Sequence, residues 1–175
     1  MDKLDIVTDE SGNKVVLLPE IIFSNKQNIN WDDVEDYLGK YVGELIEIAE
    51  TRDIIYIGNK FPDEYGGSSY TRKTKGARAK AKANAAQGIR EMVEIATDKV
   101  YRENHKEKHS EDAHNGWFYY VTRFAIPLYD NEKKTGEYNV YSACLVVNHA
   151  ANGKMYLYDV VGIKKEASNP LKTIK

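Results

Sequence analysis

A chain of 175 residues that is 42% hydrophobic, with a formal net charge of −2, has material for one domain with a real core and too little for two comfortable ones. It contains no apolar run near the roughly 20 residues of a membrane helix, and its start, MDKLDIVTDE, lacks the charged-then-apolar order of a signal peptide. The expectation is therefore a soluble, cytoplasmic protein with no membrane partner. Cys144 is the single cysteine, which excludes an intramolecular disulfide and a Cys-rich zinc site, and its place in NVYSACLVV predicts a buried thiol.

The charge is uneven along the chain. Residues 1–64 carry 15 acidic against 6 basic side chains, and residues 65–175 carry 12 against 19. Such a split suits either a polyanion-facing basic part joined to a solvated acidic one, or charges that simply coat helices.

In chain order, residues 1–14 read as a frayed or edge segment around a Ser-Gly-Asn turn. VVLLPEIIF is a short strand or a docking arm broken by Pro19. Asn30 is placed as an N-cap with Asp32 and Asp33 in the first turn. Val34, Leu38, Tyr41, Val42, Leu45, Ile46 and Ala49 then recur at helical spacing, predicting a helix over 31–50. DIIYIG (53–58) reads as a strand or extended connector, and FPDEYGGSSY as loop. The alanine-rich stretch TRKTKGARAKAKANAA predicts a helix, and beyond Gly88 a second helical stripe runs to about Thr97.

After residues 104–114, NHKEKHSEDAH, the period changes from 3.6 to 2. WFYYVTRFAIPL, YNVYSACLVVN and KMYLYDVVGI read as three strands joined by the hairpin loops DNEKKTG and HAANG. Helices followed by a meander predict an α+β fold in which N-terminal helices cover one face of an antiparallel sheet. The organisation expected is an arm at 1–30, a single domain at 31–168 and a tail at 169–175. Alternation puts Phe118, Tyr120, Phe124, Ile126 and Leu128 on the apolar face, with Tyr119, Val121 and Arg123 opposite. Tyr141, Ala143, Leu145 and Val147 face the core, while Val140, Ser142 and Cys144 face out. The last strand exposes either Tyr156 and Tyr158, or Met155, Leu157 and Asp159.

Among chemistries, His105 and His109 are spaced i, i+4, but HKEKH puts Lys106 where a zinc protease has its acid, so no metal and no cofactor is expected. Phosphate-binding glycine loops and the G-x-S-x-G elbow are absent from the sequence. What remains is metal-free RNA cleavage. There the ribose 2′-OH loses a proton, the 5′-oxygen gains one, and a cation stabilises the charged phosphorane. His109 and His114 suit the proton steps, and Arg123, the one charge inside an apolar strand, is able to hold a phosphate or to pair with an acid from a helix. Lys108, Ser142 and Tyr156 are further donors, and His149, in a hairpin turn, reads as structural. Arg72, Lys75, Arg78, Lys80 and Lys82 are the candidate phosphate contacts.

Three segments, KANAAQGIREMVEIAT, ENHKEKHSEDAHNGWFYYVTRFAIPLY and NVYSACLVVNHAANGKMYLYDVVGIKKE, together resemble a domain carried by large polyvalent proteins of phages, prophages and mobile elements. That domain is an offshoot of the barnase, EndoU, colicin and RelE-like nucleases. The resemblance spans residues 31–168 and implies a metal-independent ribonuclease acting as a toxin or effector on host RNA, with an immunity or partner protein. It carries over His109 with Lys108, and Arg123. The rival expectations are a nucleic-acid-binding or packaging module without catalysis, and a structural adaptor that meets its partner through residues 31–50. RNA cleavage predicts products in EDTA; binding alone predicts steep salt dependence with intact RNA.

Overall fold

The computed structural model describes residues 3–24, 28–103, 115–166 and 170–172. Its centre is a long antiparallel meander: β6 (Trp117–Asp130), β7 (Lys133–His149) and β8 (Met155–Lys165). β6 and β7 carry much of the two-residue alternation expected of them. Val140, expected to face out, is instead buried in a second apolar cluster with Val15, Leu17 and Ala125. On β8, it is Leu157 and Asp159 that are buried while Tyr156 and Tyr158 are half-buried. On β6, Tyr120, Thr122, Phe124 and Ile126 are buried, whereas Tyr119, Val121 and Arg123 are half-buried. Tyr141, Ala143, Leu145 and Val147 of β7 likewise join the core. Ser142 and Cys144 point to the other face, so the Cys144 thiol is half-buried, though desolvation still pushes its pKa up. The β6–β7 connection is tighter than DNEKKTG suggests. Asn131 and Glu132 both take positive φ, +49° and +70°, the conformation that matches hairpin twist, and the strands run through the flanking lysines.

The sheet is mixed, which the sequence does not announce. β1 (Ile6–Thr8) and β2 (Lys14–Leu17) form a hairpin, and β2 adds to β6 in parallel through Val16 opposite Phe124. β3 (Leu45–Glu47) and β4 (Ile54–Tyr56) form another, with β4 parallel to β8. β5 (Thr97–Arg102) lies antiparallel along the first half of β6, and β9 (Leu171–Lys172) pairs with β7. Residues 6–8 and 14–17 thus belong to the sheet, and Val15, Val16, Leu17 and Leu18 are buried. β5 escapes sequence detection because TDKVYR buries almost nothing: it is an exposed edge.

Two further expectations give way. The helix predicted over 31–50 ends early: α1 is Trp31–Leu38, capped by the Asn30 side chain, and a 3-10 turn at Gly39–Tyr41 follows. Gly43 then takes φ +93°, and Leu45, Ile46 and Glu47 leave the helical stripe because β4 offers them a ladder. Conversely, FPDEYGGSSY is helical. α2 (Phe61–Gly67) starts with Pro62 in its first turn, where the missing N–H costs nothing. α3 (Ser69–Lys73) is capped by Ser68. Phe61 and Tyr65, at i, i+4, are both buried, and that burial outweighs the glycines. α4 (Gly76–Ala85) and α5 (Ile89–Glu94) complete the set. α2 and α4 pack against β8, α5 against β2, β3 and β6, and the Thr122 hydroxyl donates to the Met92 carbonyl at 2.7 Å. The class is α+β. Among the described residues no helix is long and apolar enough to cross a membrane.

Candidate functional site

The residues that stand out chemically gather at one end of the sheet, where β5 ends, β6 begins, β7 turns into β8 and β4 leads into α2. Local chemistry holds this end tightly. The Asn115 N–H donates to the His149 carbonyl and the His149 N–H to the Gly116 carbonyl, at 2.8 and 2.9 Å. The Asn115 side-chain amide donates to the Ala150 carbonyl at 2.8 Å, and the Tyr101 hydroxyl to the Asn115 carbonyl at 3.0 Å. Gly116 has φ +97°, and a Cβ there would stand 2.7 Å from the Arg102 carbonyl oxygen, so no other residue fits without moving β5 or β6.

Aromatic rings and cations crowd the same end. Trp117 meets Tyr158 edge-on at 5.1 Å between centroids, and Tyr56 meets Tyr156 at 5.6 Å. The Arg102 guanidinium lies 5.6 Å from the centre of the Tyr119 ring, and the Lys154 ammonium 5.0 Å from that of Tyr56. Rings of this kind beside cations are what a single-stranded nucleic acid uses: the bases stack and the phosphates find positive charge.

Between these rings and α2 lies a cavity of about 260 Å³, lined among others by Gly58, Lys60, Phe61, Glu64, Asn148 and Tyr156. The Tyr156 hydroxyl accepts from the Asn152 amide at 3.4 Å. The Tyr156 ring lies over Gly58, where a Cβ would be in van der Waals contact at 3.4 Å from its Cδ1. Asn148 is 8% exposed, and its Oδ1 has no hydrogen-bond partner among the described residues. Such an atom is rare in a folded protein because it forfeits its hydration without replacement.

Of the residues singled out from sequence, Tyr156 lies at this end. His105, Lys108, His109 and His114 lie outside the described residues; on either side of them Arg102 ends β5 and Trp117 begins β6, and those two residues pair in register. Arg123 and Ser142 are direct cross-strand partners, but six residues separate Ser142 from Asn148, the partner of Tyr156, which is roughly 20 Å along the strand. Arg123 also has its counter-charge: its Nε donates to Glu166 Oε1 at 2.8 Å. The acid comes from the end of β8, not from a helix. The described members of the six-residue set therefore form two groups, Arg123 with Ser142 in one and Tyr156 in the other.

The five cations divide as well. Arg72, Lys75 and Arg78 are exposed and Lys80 partly so. Lys82 is a correction: it is completely buried, its ammonium 2.6 Å from Asp159 Oδ1 and 2.6 Å from the Thr71 hydroxyl, with the Tyr65 and Tyr70 rings at 4.6 and 5.0 Å. Burial pushes the Lys82 ammonium's pKa down and the Asp159 carboxyl's up, and their contact with each other opposes both shifts. It ties α3 and α4 to β8 and is out of reach of any phosphate.

Sequence reasoning missed Asn148 and Glu64. Asn148 had a signal, a polar residue closing the apolar run CLVVN, whereas Glu64 sat in a stretch read as loop. In comparison with known proteins, no family model, no curated protein and no solved structure matches the chain.

Proposed function

We propose that this protein acts on single-stranded RNA as a metal-independent endoribonuclease of the phage-borne polyvalent-protein type, working beside a partner or immunity protein in a host cytoplasm. The observation that supports the reading best is positional. Both stems of the histidine-bearing segment stand at the aromatic, cation-flanked end of the sheet, where a strand would be held by stacking.

In this reading the 2′-oxygen attacks phosphorus as its proton passes to a histidine. The P–O5′ bond breaks, and the 5′-oxygen takes a proton from a second acid, leaving a 2′,3′-cyclic phosphate and a 5′-hydroxyl. His109 and His114 serve the proton steps and Lys108 the phosphorane charge. Tyr156 positions the strand. Arg123, engaged by Glu166 and distant from Tyr156, serves the sheet and not the phosphate.

Incubation of the purified chain with total RNA in EDTA tests this. Cyclic-phosphate-ended fragments between pH 5 and 8, reduced by about 10²-fold or more in His109→Ala and unchanged in Arg123→Ala where that variant stays folded, are the expected result. Intact RNA across that range sinks the enzymatic reading. The Arg123–Glu166 pair favours one alternative, a module that binds RNA without cutting it, because it engages the guanidinium expected to hold the phosphorane. That alternative predicts salt-sensitive binding and no products.

A further inference from the structure

We infer that the cavity beside Tyr156 holds one nucleobase of the bound strand, and that Asn148 reads that base through its exocyclic amine, so adenine and cytosine are preferred to uracil. The inference deepens the RNA reading above and rests on it for the identity of the ligand.

Four observations converge. First, the cavity, at about 260 Å³, falls just below the range of pockets that take drug-sized ligands, so it suits one flat ring system. Second, Tyr156 is among its lining residues and is only half-buried, and every base has a face to lay against an aromatic ring. Third, Asn148 is among the lining residues, and its amide oxygen, shielded from solvent, has no hydrogen-bond partner among the described residues. A buried acceptor kept at that cost is explained by a donor that arrives with a ligand; rotation about χ2 turns the amide toward whichever edge enters. Asparagine pairs with a base in this way, accepting from an amine and donating to the neighbouring ring nitrogen.

Fourth, the cavity also contains Glu64. A carboxylate accepts and does not donate when ionised. It repels a phosphate or a carbonyl oxygen and welcomes an amine. The amine-bearing edge of the base therefore goes to Glu64, and Lys60, in the same lining, is the group that suits a phosphate. Uracil presents a carbonyl where cytosine has an amine, and inosine does so where adenosine has one. The Tyr156 ring packed on Gly58 fixes one wall of the slot.

Calorimetric titration of the wild-type chain with matched nucleotides tests this without any need for cleavage. Cytidine 5′-monophosphate is expected to bind about tenfold more tightly than uridine 5′-monophosphate, and adenosine 5′-monophosphate more tightly than inosine 5′-monophosphate by a similar factor. Ribose 5-phosphate, which lacks a base, should not bind. Asn148→Leu, checked for folding by circular dichroism, should lose the difference within each pair. Equal affinity within the pairs, binding of ribose 5-phosphate as strong as that of the nucleotides, or no binding by any of them overturns the inference; the wild-type comparison decides even where the variant does not fold. The two readings fail separately. Amine-selective binding with uncut RNA keeps the base site and removes the nuclease, and cleavage without selectivity does the reverse.

Discussion

Lys82 shows how one residue's role turns on its surroundings. The six cations between Arg72 and Lys82 look alike in sequence, yet Lys82 is enclosed and bonded to Asp159 and Thr71, whereas Arg72, Lys75 and Arg78 meet solvent. Truncating one partner of a buried ion pair strands the other charge, which typically costs about 3–5 kcal/mol. Lys82→Ala should therefore destabilise the fold by that order in chemical denaturation. The double replacement Lys82→Met with Asp159→Leu removes both charges and should recover most of the loss. A Lys82→Ala protein as stable as wild type would mean that the pair does not hold α3 and α4 to β8.

At the scale of elements, α1 and α2 meet through an acid cluster. Gly66 of α2 allows this closeness, since a Cβ there would lie 2.6 Å from Glu35 Cγ. Burial of Glu35, with Asp63 bonded to it and Asp32 and Asp36 nearby, pushes its carboxyl up to about 7. The sign of the linkage follows. The folded state keeps a proton on Glu35 between about pH 4.5 and 7 that the unfolded chain has released, so the associated stability is complete below that window and is lost as pH rises through it. With solvent screening the loss is of order 1–2 kcal/mol. Glu35→Gln should be more stable than wild type above pH 7 and flatter between pH 5 and 7 in thermal melts; parallel pH profiles for the two proteins would exclude this coupling. At the opposite extreme, Asp53 is held as a carboxylate. Its burial is outweighed by Lys99, Tyr120 and Thr51, so its pKa falls, and it links β4 to β5 and β6 through Lys99 at 2.8 Å and the Tyr120 hydroxyl at 2.7 Å.

For the molecule as a whole, the charge asymmetry of the sequence does not become two charged halves in space. β2 lies against β6 and β4 against β8, so the acidic first third is interleaved with the basic remainder. Glu44 pairs with Arg90 and Asp53 with Lys99. Two places among those available to a polyanion are the exposed Arg72, Lys75 and Arg78, and the cation-flanked aromatic end. These make different predictions for binding to a single-stranded RNA. Replacing Arg72, Lys75 and Arg78 together by Ala should weaken binding and lower the slope of log affinity against log salt by about 2 if all three touch phosphates. Tyr156→Ala should weaken it by about 1–3 kcal/mol at every salt concentration with the slope unchanged. A triple variant with the wild-type slope would exclude α3 and α4 from the interface.

Much of the sheet was legible residue by residue. The alternation in WFYYVTRFAIPL and NVYSACLVVN named most of the core-facing residues of β6 and β7, because a buried face repeats every two residues; it misplaced Val140, which a second apolar cluster with Val15, Leu17 and Ala125 buries. Two parallel additions to the meander, the edge strand β5 and the early end of α1 were not legible. Each depends on a neighbour far away in sequence: Val16 on Phe124, Tyr56 on Tyr156, Thr97 on Val121. The same holds at the site. Composition and spacing drew attention to Arg123 and Tyr156, but only the register separates them by roughly 20 Å, and only packing gives Arg123 its Glu166 and leaves Asn148 Oδ1 without a partner among the described residues. Local patterning thus determined which side chains could be core, since that follows from the period of the backbone. Tertiary structure decided which polar groups meet, since that follows from contacts no local window contains.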